Sequence, residues 1–510
     1  MGKISSQIMS IQHGLIIAIL ISRSLIGFWL LYREQLPFLP LSFDDYSRTL
    51  LAYRWDEWVG VWLPLPALIT GGLMRVWPDY WIYAPLVVNT LASAAALWFL
   101  FALSLALFRE FIPALLTIVI VAVLPWPLWL SLSGLPNSLL QLWVMLGCWS
   151  LLRWLSTERW GYLFLAGLSL LLAELTRYEA WSLGFIIFGL VGYRLLRQYG
   201  HPFKKELAFV SPLILLPGLW LALNYWQQGD ALYFSNFVQA RAMGSQGPGI
   251  GSGQLTLYLR EMANLSPLIL GMALAGVGLY VWSKKDHKSV GGLYLIAWLL
   301  WLMSLMLSSV LGNRPSHLPV RVVLTPLLLL APWAGYALFC LVRSRIPFRA
   351  AVVTLVVAIM STLHLAQLRS YPLAITPELR IIAQGLKALW HEGFLDAEDQ
   401  VLIERQAWDY LPLQVLSAHP GSVWVDSGPP AGLRVQMSSL VLAESSQTTE
   451  TELRSRHFKL VVVHSAEAME HLNQFMQAQA RLDCYTIFIY PEDQSDFENT
   501  ALVTGMRPKF

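Results

Sequence analysis

The chain has 510 residues, 56% hydrophobic and only 13% charged, with a formal charge of +3 and a mean hydropathy of +0.53. A water-soluble protein carries about a quarter charged residues, so a soluble globular chain is excluded. The basic residues sit between apolar runs rather than in a patch, which leaves no basis for nucleic-acid binding.

Repeated apolar runs of membrane-crossing length predict an α-helical polytopic protein. The spans fall at roughly 11–32, 82–107, 112–130, 136–153, 161–177, 180–198, 207–226, 264–283, 290–311, 320–342 and 350–368, about eleven in all. The first follows Lys3 and is longer than the apolar core of a signal peptide, with no small-residue cleavage site before Arg33, so it reads as a retained span. Spans three to six are short and hold Pro125, Pro127 and Pro136. Cys148 and Cys340 lie in spans and Cys484 stands alone, so no disulfide framework or zinc spacing is present.

Charge sorts the connectors. Arg109, the Arg153–Arg159 pair, the stretch 194–205, the stretch 284–288 and Arg343 to Arg349 fall on one side together with Lys3. By the positive-inside rule that side is the cytoplasm. An odd number of spans then places the N-terminus inside the cell and the C-terminal segment outside, in a cell (inner) membrane.

Two outer connectors are long. The first, about 33–81, holds Asp44, Asp45, Arg48, Arg54, Asp56 and Glu57, and the stretch from Asp44 to Tyr53 suits a helix along the membrane surface. The other, about 227–263, holds Asp230, Arg241 and a glycine-rich run from Gly244 to Gly253, which suits a lid or a plain connector. Past Tyr371 the composition becomes water-soluble. Helix-like runs (Glu378 to Glu392, Ala466 to Ala480) alternate there with strand-like ones (400–403, 422–425, 459–463, 485–490). The domains are therefore 1–370, the membrane unit, and 371–510, an extracytoplasmic α/β domain. No Walker loop, GxGxxG, HExxH or GxSxG occurs, which removes the common nucleotide, nicotinamide and hydrolase readings.

The outer ends of the spans carry the residues with chemistry to offer. Asp44 or Asp45 can accept a proton from an attacking hydroxyl, and Ser42 or Asp44 can equally cap the helix that follows. Arg177 and Glu179 flank Tyr178 at the end of an apolar hairpin. Ionisable groups at that depth are costly and are usually paired or functional. Glu174 and Arg177, at i,i+3, suit a mutually neutralising pair; alternatively Arg177 holds a phosphate while Glu179 holds an acceptor or a metal. Arg314 and Arg321 bracket the tenth span, where a guanidinium grips a phosphate bidentately or snorkels to head groups.

In order along the chain stand Phe43-Asp44-Asp45-Tyr46 with Arg48, Trp62-Leu63-Pro64-Leu65 and Ala84-Pro85-Leu86-Val87-Val88-Asn89. Ser133-Gly134-Leu135-Pro136, Thr176-Arg177-Tyr178-Glu179-Ala180-Trp181 and Gly229-Asp230-Ala231-Leu232-Tyr233-Phe234 follow. Over about 1–370 this order resembles the GT-C superfamily of polytopic glycosyltransferases, in the bacterial branch related to protein O-mannosyltransferases and aminoarabinose transferases. The resemblance implies transfer of a sugar from a polyprenyl-phosphate-linked donor, with inversion, to a glycan, lipid or protein acceptor outside the cytoplasm. It implies Asp44, with Asp45 close behind, as catalytic, and the residue reading above leaves Arg177, Arg314 and Arg321 for the donor phosphate. Glu179, Arg48 and Tyr178 are then left for acceptor or metal. Members often carry an acidic residue after the Ser-Gly-Leu segment, where this chain has Pro136-Asn137, so Glu179 becomes the substitute. The resemblance leaves Mg²⁺ or Mn²⁺ use open. A transporter or flippase for lipid-linked sugars, which would favour ionisable groups near the midplane, and a glycan ligase are the rival readings.

Overall fold

The computed structural model describes residues 2–34, 63–77, 83–199, 204–236, 256–282, 288–310, 320–343 and 377–396. It also describes parts of 354–366, and 398–404, 422–426, 446–455, 457–463, 469–470, 472–482 and 485–493. Asp44, Asp45, Arg48, Arg314, the stretch from Asp44 to Tyr53 and the run from Gly244 to Gly253 lie outside the described residues.

As far as Arg343 the described residues form helices, all of the membrane unit except α2, which from Ala67 on belongs to the second unit: α1 (Gly2–Glu34), α2 (Leu65–Val76), α3 (Ala84–Phe108), α4 (Phe111–Ala122), α5 (Pro125–Ser131), α6 (Asn137–Thr157) and α7 (Trp160–Glu174). After these come α8 (Glu179–Tyr199), α9 (Lys204–Val210), α10 (Pro212–Gln228), α11 (Leu257–Leu265), α12 (Pro267–Trp282), α13 (Lys288–Val310) and α14 (Val320–Arg343). Among the described residues six helices are long and apolar enough to cross a membrane, α1, α3, α6, α8, α13 and α14, or eight if two bent pairs each count as one span. This is a multi-pass membrane protein.

The span expected at 112–130 is bent, and the one expected at 264–283 is preceded by a further helix, α11, within the connector read as 227–263. Helices α4 and α5 meet at 70°, and α11 and α12 at 105°. Proline is the cause: Pro125 and Pro127 at the start of α5, and Pro267 at the start of α12, lack the N–H that would continue the preceding helix. The predicted span at 161–177 is the 15-residue α7, and the one at 207–226 is the 17-residue α10.

Helix α14 is the axis of the unit, with nearly every residue from Arg321 to Leu338 buried. Lipid tails are as apolar as leucine, so helices in a bilayer associate by close backbone approach. A Cβ on Gly276 of α12 would collide with the Trp333 carbonyl of α14, and one on Gly335 of α14 with Pro113 and Thr117 of α4. Pro326 and Pro332 lie inside α14 and weaken its own hydrogen-bond ladder. Tyr294 and Trp298 of α13 donate to the nearby carbonyls of Leu329 and Pro326 at 2.6 and 2.9 Å.

The second unit contains α15 (Pro377–His391), α16 (Ser446–Ser455) and strands β1 (Gln400–Glu404), β2 (Val423–Asp426), β3 (Phe458–Val463), β4 (Gln477–Leu482) and β5 (Tyr485–Ile489). The five strands form one mixed sheet in the order β2-β1-β3-β5-β4. Strands β2, β1 and β3 run parallel, while β5 is antiparallel to β3 and to β4. Ile382, Ala383, Leu386 and Leu389 make one buried face of α15, spaced as an amphipathic helix requires. Leu402, Phe458, Val461, Val463 and Phe488 gather with Leu453 of α16 in a common core. The helix expected over 466–480 is corrected at its end. Residues 477–482 form β4, because the backbone there pairs with β5 from Gln477 to Leu482, and non-local pairing overrides helix propensity.

Candidate functional site

The α7–α8 hairpin carries the site. Helix α7 ends at Glu174, where its last turn tightens: the N–H groups of Thr176 and Arg177 both donate to the Ala173 carbonyl at 3.0 Å. Helix α8 opens on Glu179, whose charge suits the positive end of the helix. Arg177 turns forward to it. Its Nε donates to both Glu179 carboxylate oxygens at 3.1 Å, and Nη2 donates to Oε1. Only 13% and 15% of the two side chains are exposed, so this pair is largely withdrawn from water.

The alternative pairing of Glu174 with Arg177 is overturned. Glu174 is fully buried, and neither of its carboxylate oxygens has a hydrogen-bond partner among the described residues. Its side chain lies against Gly184, where any Cβ would overlap the carboxylate. The hairpin turn swings Arg177 toward the start of α8, and the simple i,i+3 helical geometry stops at Glu174.

Four further helices close on this pair. Trp301 of α13 donates its indole N–H to the Glu179 carbonyl at 2.9 Å. Arg321, in the first turn of α14 and 4% exposed, acts electrostatically on Glu179. Tyr258 of α11, 2% exposed, acts electrostatically on both Glu179 and Arg177. Asn137, the first residue of α6 and fully buried, holds Arg321 at two points. It accepts from Arg321 Nε at 3.1 Å and donates from Nδ2 to the Arg321 carbonyl at 3.1 Å. The sequence brought Arg177, Glu179 and Arg321 forward as candidates, and the fold gathers all three. Asn137 entered the sequence reading only as a missing carboxylate. Tyr258 and Trp301 carried no signal at all.

Segments of the sequence resemblance also meet in pairs. Asn89, closing the Ala-Pro-Leu-Val-Val-Asn stretch, donates to the Ser133 carbonyl at 2.6 Å and so anchors Ser-Gly-Leu-Pro, which leads directly into Asn137. Tyr178 stacks on Phe234 from the Gly229–Phe234 segment, with ring centroids 4.4 Å apart, and Trp181 meets both rings edge-on. The Tyr178 hydroxyl accepts from Trp220 Nε1 at 3.2 Å. Asp230 caps the turn before Phe234, accepting from the Leu232 N–H and the Asn236 side chain.

Metal ligation finds little here. Among the described residues no three His, Cys, Asp or Glu side chains gather to hold an ion, and the one carboxylate in the cluster, Glu179, is taken up by Arg177.

Arg23 of α1 lies deep in a span, away from this end. Arg23 sits eleven residues inside the end of α1, about 16 Å at 1.5 Å per residue, and is 6% exposed. Its Nη1 donates to Ser93 of α3 at 2.8 Å, while Nε and Nη2 have no partner among the described residues.

No family model and no curated protein matches the sequence. Solved structures do. ArnT from Cupriavidus metallidurans bound to undecaprenyl phosphate is 11% identical with a TM-score of 0.60, over 93% of this chain and 98% of that one. Its apo state gives 12% and 0.56 over the same shares. The Archaeoglobus fulgidus oligosaccharyltransferase, tethered to an acceptor peptide with the NVT sequon, is 11% identical with a TM-score of 0.51, over 88% of this chain and 69% of that one. Nearly the whole of each chain aligns with ArnT at an identity too low to carry activity, so what is shared is architecture: this protein has an ArnT-like helical, polytopic fold, followed by a small C-terminal sheet.

Proposed function

We propose that this chain is a membrane glycosyltransferase that takes a sugar from a polyprenyl-phosphate-linked donor and passes it to an acceptor hydroxyl on the extracytoplasmic side. One observation carries the proposal beyond fold. Two arginines and a glutamate, drawn from the α7–α8 turn, α14 and the start of α8, converge with Asn137 of α6 at one end of an apolar bundle. Such an end suits a lipid-linked phosphate, whose head needs guanidinium groups while its tail needs an apolar groove.

In this reading the acceptor oxygen forms a bond to the anomeric carbon from the face opposite the phosphate, and the carbon–oxygen bond to phosphate breaks. The electron pair leaves with the polyprenyl phosphate, and inversion follows from the single displacement. The acceptor proton passes to Asp44, with Asp45 beside it. Arg321 and Arg314 offset the negative charge growing on the leaving phosphate. Arg177 assists with the donor groups that Glu179 leaves unused. Asn137 sets the rotamer of Arg321, and Tyr178 and Phe234 offer an aromatic surface for a sugar face. Undecaprenyl phosphate bound to ArnT and an acceptor peptide tethered to the oligosaccharyltransferase support a lipid-linked donor and an external acceptor.

The test is purified protein with radiolabelled polyprenyl-phosphate hexose and a membrane extract as acceptor source. Label moving into acceptor supports the enzyme. Tight binding of the donor with no turnover, across several sugars, would instead indicate a carrier or flippase.

A further inference from the structure

Helices α6, α8, α13 and α14 line a partly open apolar groove that the transfer reaction above does not use. Its floor is buried and apolar, formed by Cys148, Leu152, Ile187, Ala297 and Leu329, while Leu151, Leu190 and Trp298 at the rim are only half-buried. The groove follows α8 from Leu183 to Arg194. Eleven residues at 1.5 Å each make that about 16 Å, and half of a bilayer's hydrocarbon core is about 15 Å. It therefore has the length of a single leaflet. It is also the leaflet remote from the reaction, since Arg194 lies fifteen residues, about 22 Å, along α8 from Glu179.

Charge at the mouth selects the occupant further. Arg194 lines the groove, with its guanidinium over the Trp154 ring at 5.4 Å. Its Nη2 donates to the Leu155 carbonyl at 3.3 Å and lies 3.5 Å from the exposed Glu158 carboxylate. Its Nε and Nη1 make no hydrogen bond among the described residues. Arg153, Arg159 and Arg197 stand at the same end of α6, α7 and α8, against Glu158 and Glu206, so this end is net positive. Basic side chains just outside the hydrocarbon attract anionic lipid.

We infer that this groove is a binding site for one acyl chain of an anionic phospholipid from the leaflet opposite the Arg177–Glu179 end, with Arg194 meeting its headgroup phosphate. The bound lipid fills the seam between α6, α8 and α13.

Native mass spectrometry of the purified full-length chain tests this, after exchange into mixtures of phosphatidylglycerol and phosphatidylethanolamine with identical acyl chains. The expected result is one retained lipid with phosphatidylglycerol preferred. Arg194→Gln should lower that preference about fivefold, the ~1 kcal/mol of a basic side chain near an anionic surface, with lipid still retained. Ala297→Phe, which fills the floor, and Leu190→Trp, which closes the rim, should each cut retention of both lipids at least tenfold while the protein stays monodisperse. An unchanged preference in Arg194→Gln overturns the proposal. So does wild-type retention in either groove-filling variant. Displacement of the phospholipid by undecaprenyl phosphate overturns it as well, because the groove would then belong to the carrier. None of these readouts depends on sugar transfer.

Discussion

Neutralising Glu179 is the perturbation that most directly probes the cluster. In Glu179→Gln the side chain keeps its length but loses its charge, leaving Arg177 with a neutral partner in a setting where only 13% of its side chain meets solvent. An exposed ion pair contributes about 0–1 kcal/mol, whereas breaking a buried one costs about 3–5 kcal/mol because the survivor stays charged and desolvated. A pair at 13% and 15% exposure lies nearer the second case, so a loss of about 2–3 kcal/mol is expected. Arg177→Met should cost a similar amount. The double variant should cost less than the two together, with a coupling of at least ~1.5 kcal/mol in a double-mutant cycle. Unfolding of the purified protein in graded SDS and mild detergent, followed by circular dichroism, measures all four corners of the cycle. A coupling below ~0.5 kcal/mol, the value of a solvated pair, would refute the view that Arg177 and Glu179 act as one withdrawn unit.

Other outcomes follow from the same geometry. Asp44→Asn should abolish sugar transfer while leaving expression and polyprenyl-phosphate binding intact; undiminished transfer would reassign the role to Asp45 or end the proposal. Asn137→Asp places a carboxylate against the Arg321 guanidinium and removes the Nδ2 donor to the Arg321 carbonyl. It should weaken polyprenyl-phosphate binding by about tenfold, some 1.4 kcal/mol, as measured by microscale thermophoresis. Gly276→Ala forces α12 away from the Trp333 carbonyl and should destabilise by at least ~2 kcal/mol, whereas Gly271→Ala on the same helix meets open space and should be neutral or slightly stabilising. Thermal denaturation of the two variants distinguishes them. In the second unit the Arg454 guanidinium bonds Glu492 and Glu450 and lies 3.9 Å over the Tyr490 ring. Its hydrogen bond holds the Glu492 carboxyl below its usual range. A depressed carboxyl contributes stability above its unfolded value near pH 4.3 and loses it as pH falls through the lower folded value. Protection factors of the β5 amides, corrected for the intrinsic pH dependence of exchange, should therefore fall slightly below about pH 4 in the native chain, by no more than a few tenths of a kcal/mol for so exposed a pair, and Arg454→Met should remove that dependence.

Helices α1, α3, α6, α8, α13 and α14 were legible in the sequence because a bilayer imposes one rule, enough consecutive apolar residues to span it, and that rule is local. The strands at 400–403, 422–425, 459–463 and 485–490 were legible for a similar reason, as short β-branched runs in a polar context. The bends between α4 and α5 and between α11 and α12 were signalled by prolines, but their 70° and 105° angles depend on what the helices pack against. Strand β4 was misread because its sequence, Gln-Ala-Gln-Ala-Arg-Leu, is a good helix former and only its pairing with β5 makes it a strand.

At the candidate site, the type and depth of Arg177, Glu179 and Arg321 marked them, because a charge near the end of an apolar run is expensive wherever it occurs. By itself the sequence determined that this chain crosses a membrane many times, carries a small α/β domain at its C-terminal end and holds a few ionisable groups at the ends of its spans. Only the tertiary structure decided that Arg177 bonds Glu179 and not Glu174, and that Asn137, 184 positions away from Arg321, holds it at two points. Hydropathy is a sum over neighbours in the chain, whereas a hydrogen bond depends on direction and on distances of about 3 Å between residues that only folding brings together.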